Sequence, residues 1–177
     1  MTESIEQSAV VIGASGGIGA AVTRRLEASG RYGVVHALSR SGSGLDLEDE
    51  ASIAAAATRV AEGPAPTLVF VATGVLHHGF EPERSWRALD AAHLLRDYRI
   101  NTVGPALIAK HFLPLLPRAR RVALTALSAR VGSIGDNRLG GWHSYRASKA
   151  ALNMLLRNLA IETARTHPQA VIAGLHP

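Results

Sequence analysis

The segment VVIGASGGIGAAVTRRLEASG, residues 10–30, restricts the fold more than any other stretch of this 177-residue chain. Val10 to Ile12 are continuously apolar, as a strand buried on both faces is; glycines follow at 13, 16, 17 and 19, and a helical pattern then runs to Gly30. A strand, a glycine turn and a helix in that order aim the new helix's free N–H groups and positive dipole end at whatever lies beyond the strand. A pyrophosphate fits there, because glycine permits positive φ and close backbone approach. The spacing Gly13, Gly17, Gly19 differs from GxGxxG but serves the same ends: a tight turn, room for phosphate, and helix packing.

The rest of the chain repeats the alternation. Strands are expected near 8–12, 33–38, 67–72, 121–127 and 170–176, separated by helical patterns, with a short extra strand at 44–47. Residues 75–90 read as a loop entering a helix. Such βα alternation makes an α/β fold, a doubly wound parallel sheet covered by helices, with ligands in the crevice at the carboxyl ends of the strands. With 47% hydrophobic and 19% charged residues, residues 1–177 read as one domain around one core.

Several function classes are disfavoured. The chain has no cysteine, so disulfides and thiolate metal sites are excluded, and neither a leader nor a membrane-length apolar run is visible; a cytoplasmic location is expected. The net charge of +5 does not point to nucleic acid, because Arg24, Arg25, Arg118, Arg120 and Arg121 are scattered without interleaved aromatics. His77 and His78 are the only local histidine pair; adjacent side chains point apart on a strand, and no metal site is expected.

Tyr145 and Lys149, in YRASKAALNMLL, stand four residues apart on one helix face. A free phenol titrates near pH ~10, and a cation roughly 6 Å along the helix favours its phenolate. The same spacing also suits an ordinary amphipathic pair; the glycine turn upstream favours proton transfer.

GASGGIG followed by YRASK about 130 residues later resembles the short-chain dehydrogenase/reductase family, with its GxxxGxG and YxxxK motifs. VGSIGDNRLGGWHSYRASKAALN resembles the stretch carried by the sniffer-like and C-factor-like carbonyl reductase branch. The resemblance covers essentially the whole chain. It implies a Rossmann-type fold and hydride transfer between a nicotinamide cofactor and a small carbonyl or alcohol substrate. It makes Tyr145 the general acid/base, Lys149 the cation that lowers the tyrosine pKa and bonds the nicotinamide ribose, and Asn101 the anchor of the proton relay.

The same resemblance assigns cofactor contacts to Gly13, Ser15, Gly16, Gly17, Ile18 and Gly19, to Asp46 and Leu47 beside the adenine, and to Ala72 and Gly74. In LVFVATG those last two keep the small character of the family's NNAG segment, without its asparagines. Asp46 also reads as a cap for a helix starting near Glu48. The strand GVVHALSR ends in Ser39 and Arg40 where an NAD site carries an acid, and an arginine there favours the 2′-phosphate of NADP.

Pro105, four residues after Asn101, has no N–H, so the Asn101 carbonyl is expected to be free to hold a relay water. Relatives end the strand before the catalytic helix with a serine that binds the substrate carbonyl. Ser128 is the expected counterpart, although a gapless comparison puts Ala129 at that position, and Ser133 is the alternative. Trp142 and His143 are candidate pocket residues.

The sequence stops at AVIAGLHP, where relatives continue, so the last edge strand and the substrate-covering segment are expected to be lacking. A dinucleotide-binding sensor or signalling protein with little turnover is therefore the alternative function. ALNMLLRNLAIE is apolar on more than one face, from which a homodimer or homotetramer is expected.

Overall fold

A computed structural model describes residues 7–76 and 79–177; His77 and His78 lie outside the described residues. Five parallel strands form one sheet: β1 (Ser8–Ile12), β2 (Val34–Leu38), β3 (Pro66–Val71), β4 (Val122–Leu127) and β5 (Ala170–Leu175), in the order β2-β1-β3-β4-β5. Each falls within a residue or so of its expected span. β1 is wholly buried, as its unbroken apolar run requires. Ile12 pairs with Leu38 on one side and Val71 on the other, so the chain leaves β1 towards one edge and later returns to its opposite side. That reversal opens a crevice at the carboxyl ends of β1 and β3.

The flanking helices are α1 (Gly17–Ala28), α2 (Arg40–Ser43), α3 (Glu50–Ala61), α4 (Ala91–Tyr98), α5 (Gly104–Phe112) and α6 (His143–Thr163). α1 packs on β1 and β2, α3 against α5, and α4 against α6. Ile53 of α3, Ile108 and Phe112 of α5 and Leu152 of α6 are fully buried and join Val10, Ile12, Val69, Val71 and Leu124 of the sheet in one core.

Two local expectations are corrected. The strand expected at 44–47 does not form. Leu45 buries its side chain in the core, but its N–H returns to the Ser39 carbonyl, which leaves no edge for a ladder. α3 starts at Glu50 and is capped by the Asp49 side chain, which accepts from the Ala51 N–H; the Asp46 carboxylate instead accepts from the Glu48 N–H in the preceding loop. Residues 75–90 are a loop in their described part, with a single 3-10 turn at Trp86–Ala88 before α4, which Asp90 caps.

Between α4 and α5 the helix widens into a π turn, Arg99–Val103, where the Gly104 N–H reaches the Arg99 carbonyl. Pro105 follows at the first turn of α5 and is buried. It can offer the Asn101 carbonyl no amide, and the wider turn accommodates that missing bond.

Candidate active site

A cleft of about 540 Å³ opens at the carboxyl ends of the strands, within the usual size of a small-ligand site. The glycine turn forms one wall. Gly13 has φ +83°, and a Cβ there would stand 2.8 Å from Thr73 Cγ2. At Gly19 a Cβ would lie 2.1 Å from the Gly13 carbonyl oxygen, so only glycine lets α1 begin against the turn. Ser15 and Gly16 line the cleft beside Gly13; Gly17 and Ile18 open α1 without lining it. Helix geometry leaves the first-turn N–H groups without intrahelical acceptors, and no acidic residue sits among them.

Arg40 and Ser39, past β2, face the same space. Ser39 is occupied locally: its hydroxyl caps α2 by accepting from the Gly42 N–H. Asp46 and Leu47 line the far wall with Glu48. Gly104 leaves room for Leu47 there: a Cβ on Gly104 would come within 2.9 Å of the Leu47 Cβ. Ala72 and Gly74 continue from β3, and the Thr73 hydroxyl between them is buried with no hydrogen-bond partner. Free amides for a pyrophosphate, a guanidinium at the far end and an apolar wall suit a dinucleotide.

Gly74 joins this cleft to the helix that carries the tyrosine. A Cβ on Gly74 would lie 3.1 Å from Lys149 Nζ and 3.4 Å from Asn101 Oδ1. Lys149 is only 2% exposed; its ammonium donates to the Leu127 carbonyl at 2.8 Å and lies 5.7 Å from the centre of the Tyr145 ring. Burial pushes its pKa down to about 8, partly opposed by the charge of Asp97. Tyr145 differs from expectation: burial, and then the charge of Asp97, raise its pKa rather than lowering it. The ammonium lies beside the ring and bonds the strand carbonyl, and burial together with Asp97 sets the net direction.

Asn101 is fully buried and holds two walls together. Its Oδ1 accepts from the Val75 N–H at 2.8 Å, and its Nδ2 donates to the Val75 carbonyl at 2.9 Å and to Ser148 Oγ at 3.1 Å. Ser148 in turn donates to the Tyr145 carbonyl.

Neither candidate serine is free. Ser128 donates its hydroxyl to Asn153 Oδ1 at 2.6 Å, two helical turns beyond Tyr145. Ser133 accepts from the Asp136 N–H and lines, with His143, a separate hollow of about 250 Å³. Trp142 meets Tyr145 edge-on, with ring centres 6.5 Å apart.

The structure adds residues that sequence reasoning missed. Arg96 and Glu48 line the cleft, and Glu83, His93 and Asp97 form a buried group next to the start of α6. The spacing of His93 and Asp97, one helical turn apart, was legible; nothing in the chain near Glu83 signals its partner. Among the described residues, no group of three or more histidine, cysteine or acidic side chains could hold a metal, and no helix is long and apolar enough to cross a membrane.

Comparisons with known proteins agree with this geometry. The sequence model of a family described as Enoyl-(Acyl carrier protein) reductase matches residues 13–174. The chain is 31% identical over 183 residues to 1-hydroxy-2-glutathionyl-2-methyl-3-butene dehydrogenase of Rhodococcus sp. (strain AD45), covering 95% of this chain and 75% of that one. It is 35% identical over 125 residues to C-signal of Myxococcus xanthus, covering 68% and 69% of the two chains. The solved structure of NADPH-bound carbonyl reductase from chicken fatty liver superposes with a TM-score of 0.78 at 27% identity, over 96% of this chain and 75% of that one. This chain belongs to the short-chain dehydrogenase/reductase family of oxidoreductases.

Proposed function

We propose that the chain is an NADP-dependent carbonyl reductase or alcohol dehydrogenase acting on a small-molecule substrate, with Tyr145 as the general acid/base. The observation that carries this reading is the junction at Gly74, where the wall of the nucleotide cleft meets the Lys149 ammonium. A nucleotide cleft and a phenol–ammonium pair that share a wall can bring a cofactor and a proton donor to one substrate.

When bound, the nicotinamide supplies or accepts the hydride. The protein's own residues do the rest. The first-turn amides of α1 hold the pyrophosphate, with Gly13, Ser15, Gly16, Gly17, Ile18 and Gly19 giving the close approach. Arg40 selects the 2′-phosphate, Asp46 and Leu47 flank the adenine, and Ala72 and Gly74 leave room along the strand end. Tyr145 exchanges a proton with the substrate oxygen. Lys149, its ammonium released from Leu127, stabilises the phenolate, and Asn101 holds the relay's backbone in place. Ser128 holds the substrate oxygen once its hydroxyl leaves Asn153.

Replacing Tyr145 by Phe tests the assignment. Carbonyl reduction should fall by roughly 10²–10⁴-fold, while the thermal shift produced by NADPH is retained. Undiminished turnover in this variant sinks the reading. Ser128→Ala and Ser133→Ala, assayed side by side, separate the two serines, because only the one that holds the substrate oxygen should lower kcat by about 10²-fold.

One observation favours a second reading, a nucleotide-binding protein with little turnover. The Ser128 hydroxyl is turned to Asn153 and is not offered to a substrate. NADPH binding without reduction of any aldehyde or ketone in a broad panel would favour it. Met154 and Ile161 on α6 and Leu95 on α4 are exposed apolar side chains that support a homodimer or homotetramer, to be read by light scattering.

A further inference from the structure

Next to Tyr145 and Lys149 lies a buried set of ionisable side chains that the reaction above does not use. Glu83, His93 and Asp97 are 3%, 2% and 0% exposed. Glu83 reaches α6 from a loop 61 residues before Ser144. Its two carboxylate oxygens accept from the Ser144 N–H at 3.2 and 3.3 Å, one also accepts from the Ser144 hydroxyl, and its carbonyl accepts from the Trp142 N–H. Trp142, at the cap position of α6, is the one described non-glycine residue with positive φ, at 51°, and offers no side-chain cap of its own. Glu83 thus supplies the negative end that a helix N-terminus favours, one residue before Tyr145.

The set continues away from that helix end. His93 Nδ1 is 3.4 Å from Glu83 Oε1, its Nε2 is 3.7 Å from Asp97 Oδ2, and its ring stacks on Phe80 with centres 4.6 Å apart. Neither oxygen of Asp97 nor His93 Nε2 has a hydrogen-bond partner. A buried carboxylate left so is costly, and a packing role alone would be met by an apolar residue or an amide. Burial pushes the Asp97 carboxyl above the usual carboxylate range; His93 and Arg96 from α4 and Lys149 from α6 act to lower it, and Glu83 from the loop adds to the rise.

We propose that Glu83, His93 and Asp97 act together as positioning residues for the tyrosine. Glu83 fixes the first turn of α6, and Asp97, linked to Glu83 through His93, places a buried carboxyl on α4 where that helix packs against α6, the helix that carries Tyr145 and Lys149. The proposal rests on the reading of Tyr145 and Lys149 given above. Asp97 bears on both side chains in the same direction, raising the proton affinity of each. It works against the burial that lowers the Lys149 pKa and adds to the burial that raises that of Tyr145.

The chain is suited to a direct test, because Lys110 and Lys149 are its only lysines and Tyr32, Tyr98 and Tyr145 its only tyrosines. NMR of cofactor-free protein carrying ¹³C at the lysine ε-carbon and the tyrosine ζ-carbon follows both groups without turnover. In Asp97→Asn the Lys149 midpoint should fall by about half a pH unit or more, with Tyr145 moving the same way and Lys110 unchanged. The kcat–pH profile should follow while KM stays within about 2-fold. Glu83→Gln, which keeps an acceptor for Ser144, should retain more activity than Glu83→Ala. A folded Asp97→Asn protein with both titrations unmoved overturns the proposal.

If that variant does not fold, the wild-type Asp97 carboxyl carbon serves instead. It should show an inflection at the Lys149 midpoint, and a curve blind to Lys149 overturns the coupling. Full turnover in Tyr145→Phe would defeat the function reading alone, since the NMR couplings need no catalysis.

Discussion

The Lys149 ammonium is bonded to the Leu127 carbonyl at 2.8 Å, so the end of β4 holds the cation beside Tyr145. A buried ammonium has a folded-state pKa of about 8, below its ordinary value of 10.5. Between these values the unfolded chain binds more protons than the folded one, so stability rises with pH across that window. Relative to Lys149→Met, the wild type should gain on the order of 3 kcal/mol between pH 7 and pH 10.5, read from denaturant unfolding. A pH-independent difference would show that burial does not depress this lysine.

Arg40 stands at the end of β2 on the cleft wall and is exposed. A charge-assisted phosphate contact contributes about 1.5–3 kcal/mol, so Arg40→Ala should weaken NADPH binding by roughly 10–100-fold and leave NADH binding within about 2-fold. Isothermal titration with both nucleotides measures the ratio. Equal loss for the two would remove Arg40 from phosphate selection.

At Gly19 there is no room for a methyl group, because the Gly13 carbonyl oxygen would be 2.1 Å away. Gly19→Ala should therefore cost about 2 kcal/mol or more and abolish the NADPH thermal shift. Gly17→Ala meets open space and should keep the stability of the wild type.

Pro105→Ala restores an N–H four residues after Asn101. The π turn should tighten towards α-helical geometry, and the alkaline limb of the kcat–pH profile should move if the Asn101 carbonyl carries the relay water. An unchanged rate and profile would detach that carbonyl from proton transfer.

Most of the architecture was legible because local patterns carried it. The apolar run of β1, the crowded glycines after it and the Tyr145–Lys149 spacing each depend on neighbours within a few residues. What escaped depends on contacts between distant segments. The Glu83 carboxylate meets α6 across 61 residues, and Ser128 is turned by Asn153 on another element. The expected lowering of the Tyr145 pKa failed for a related reason: helical spacing placed the cation correctly along the helix but said nothing of the burial and the Asp97 charge that act on the phenol. Leu45 satisfied the pattern of a strand residue, yet the Ser39 carbonyl took its N–H first.

Asn101 gives both ends of its side-chain amide to Val75 and Ser148 and is sealed from solvent. With no surface exposed, it offers an incoming molecule no direct contact. The residue works as a rivet between the crevice floor and the tyrosine's helix, so damage to it should register first as a parting of those two surfaces, with lost chemistry as the result.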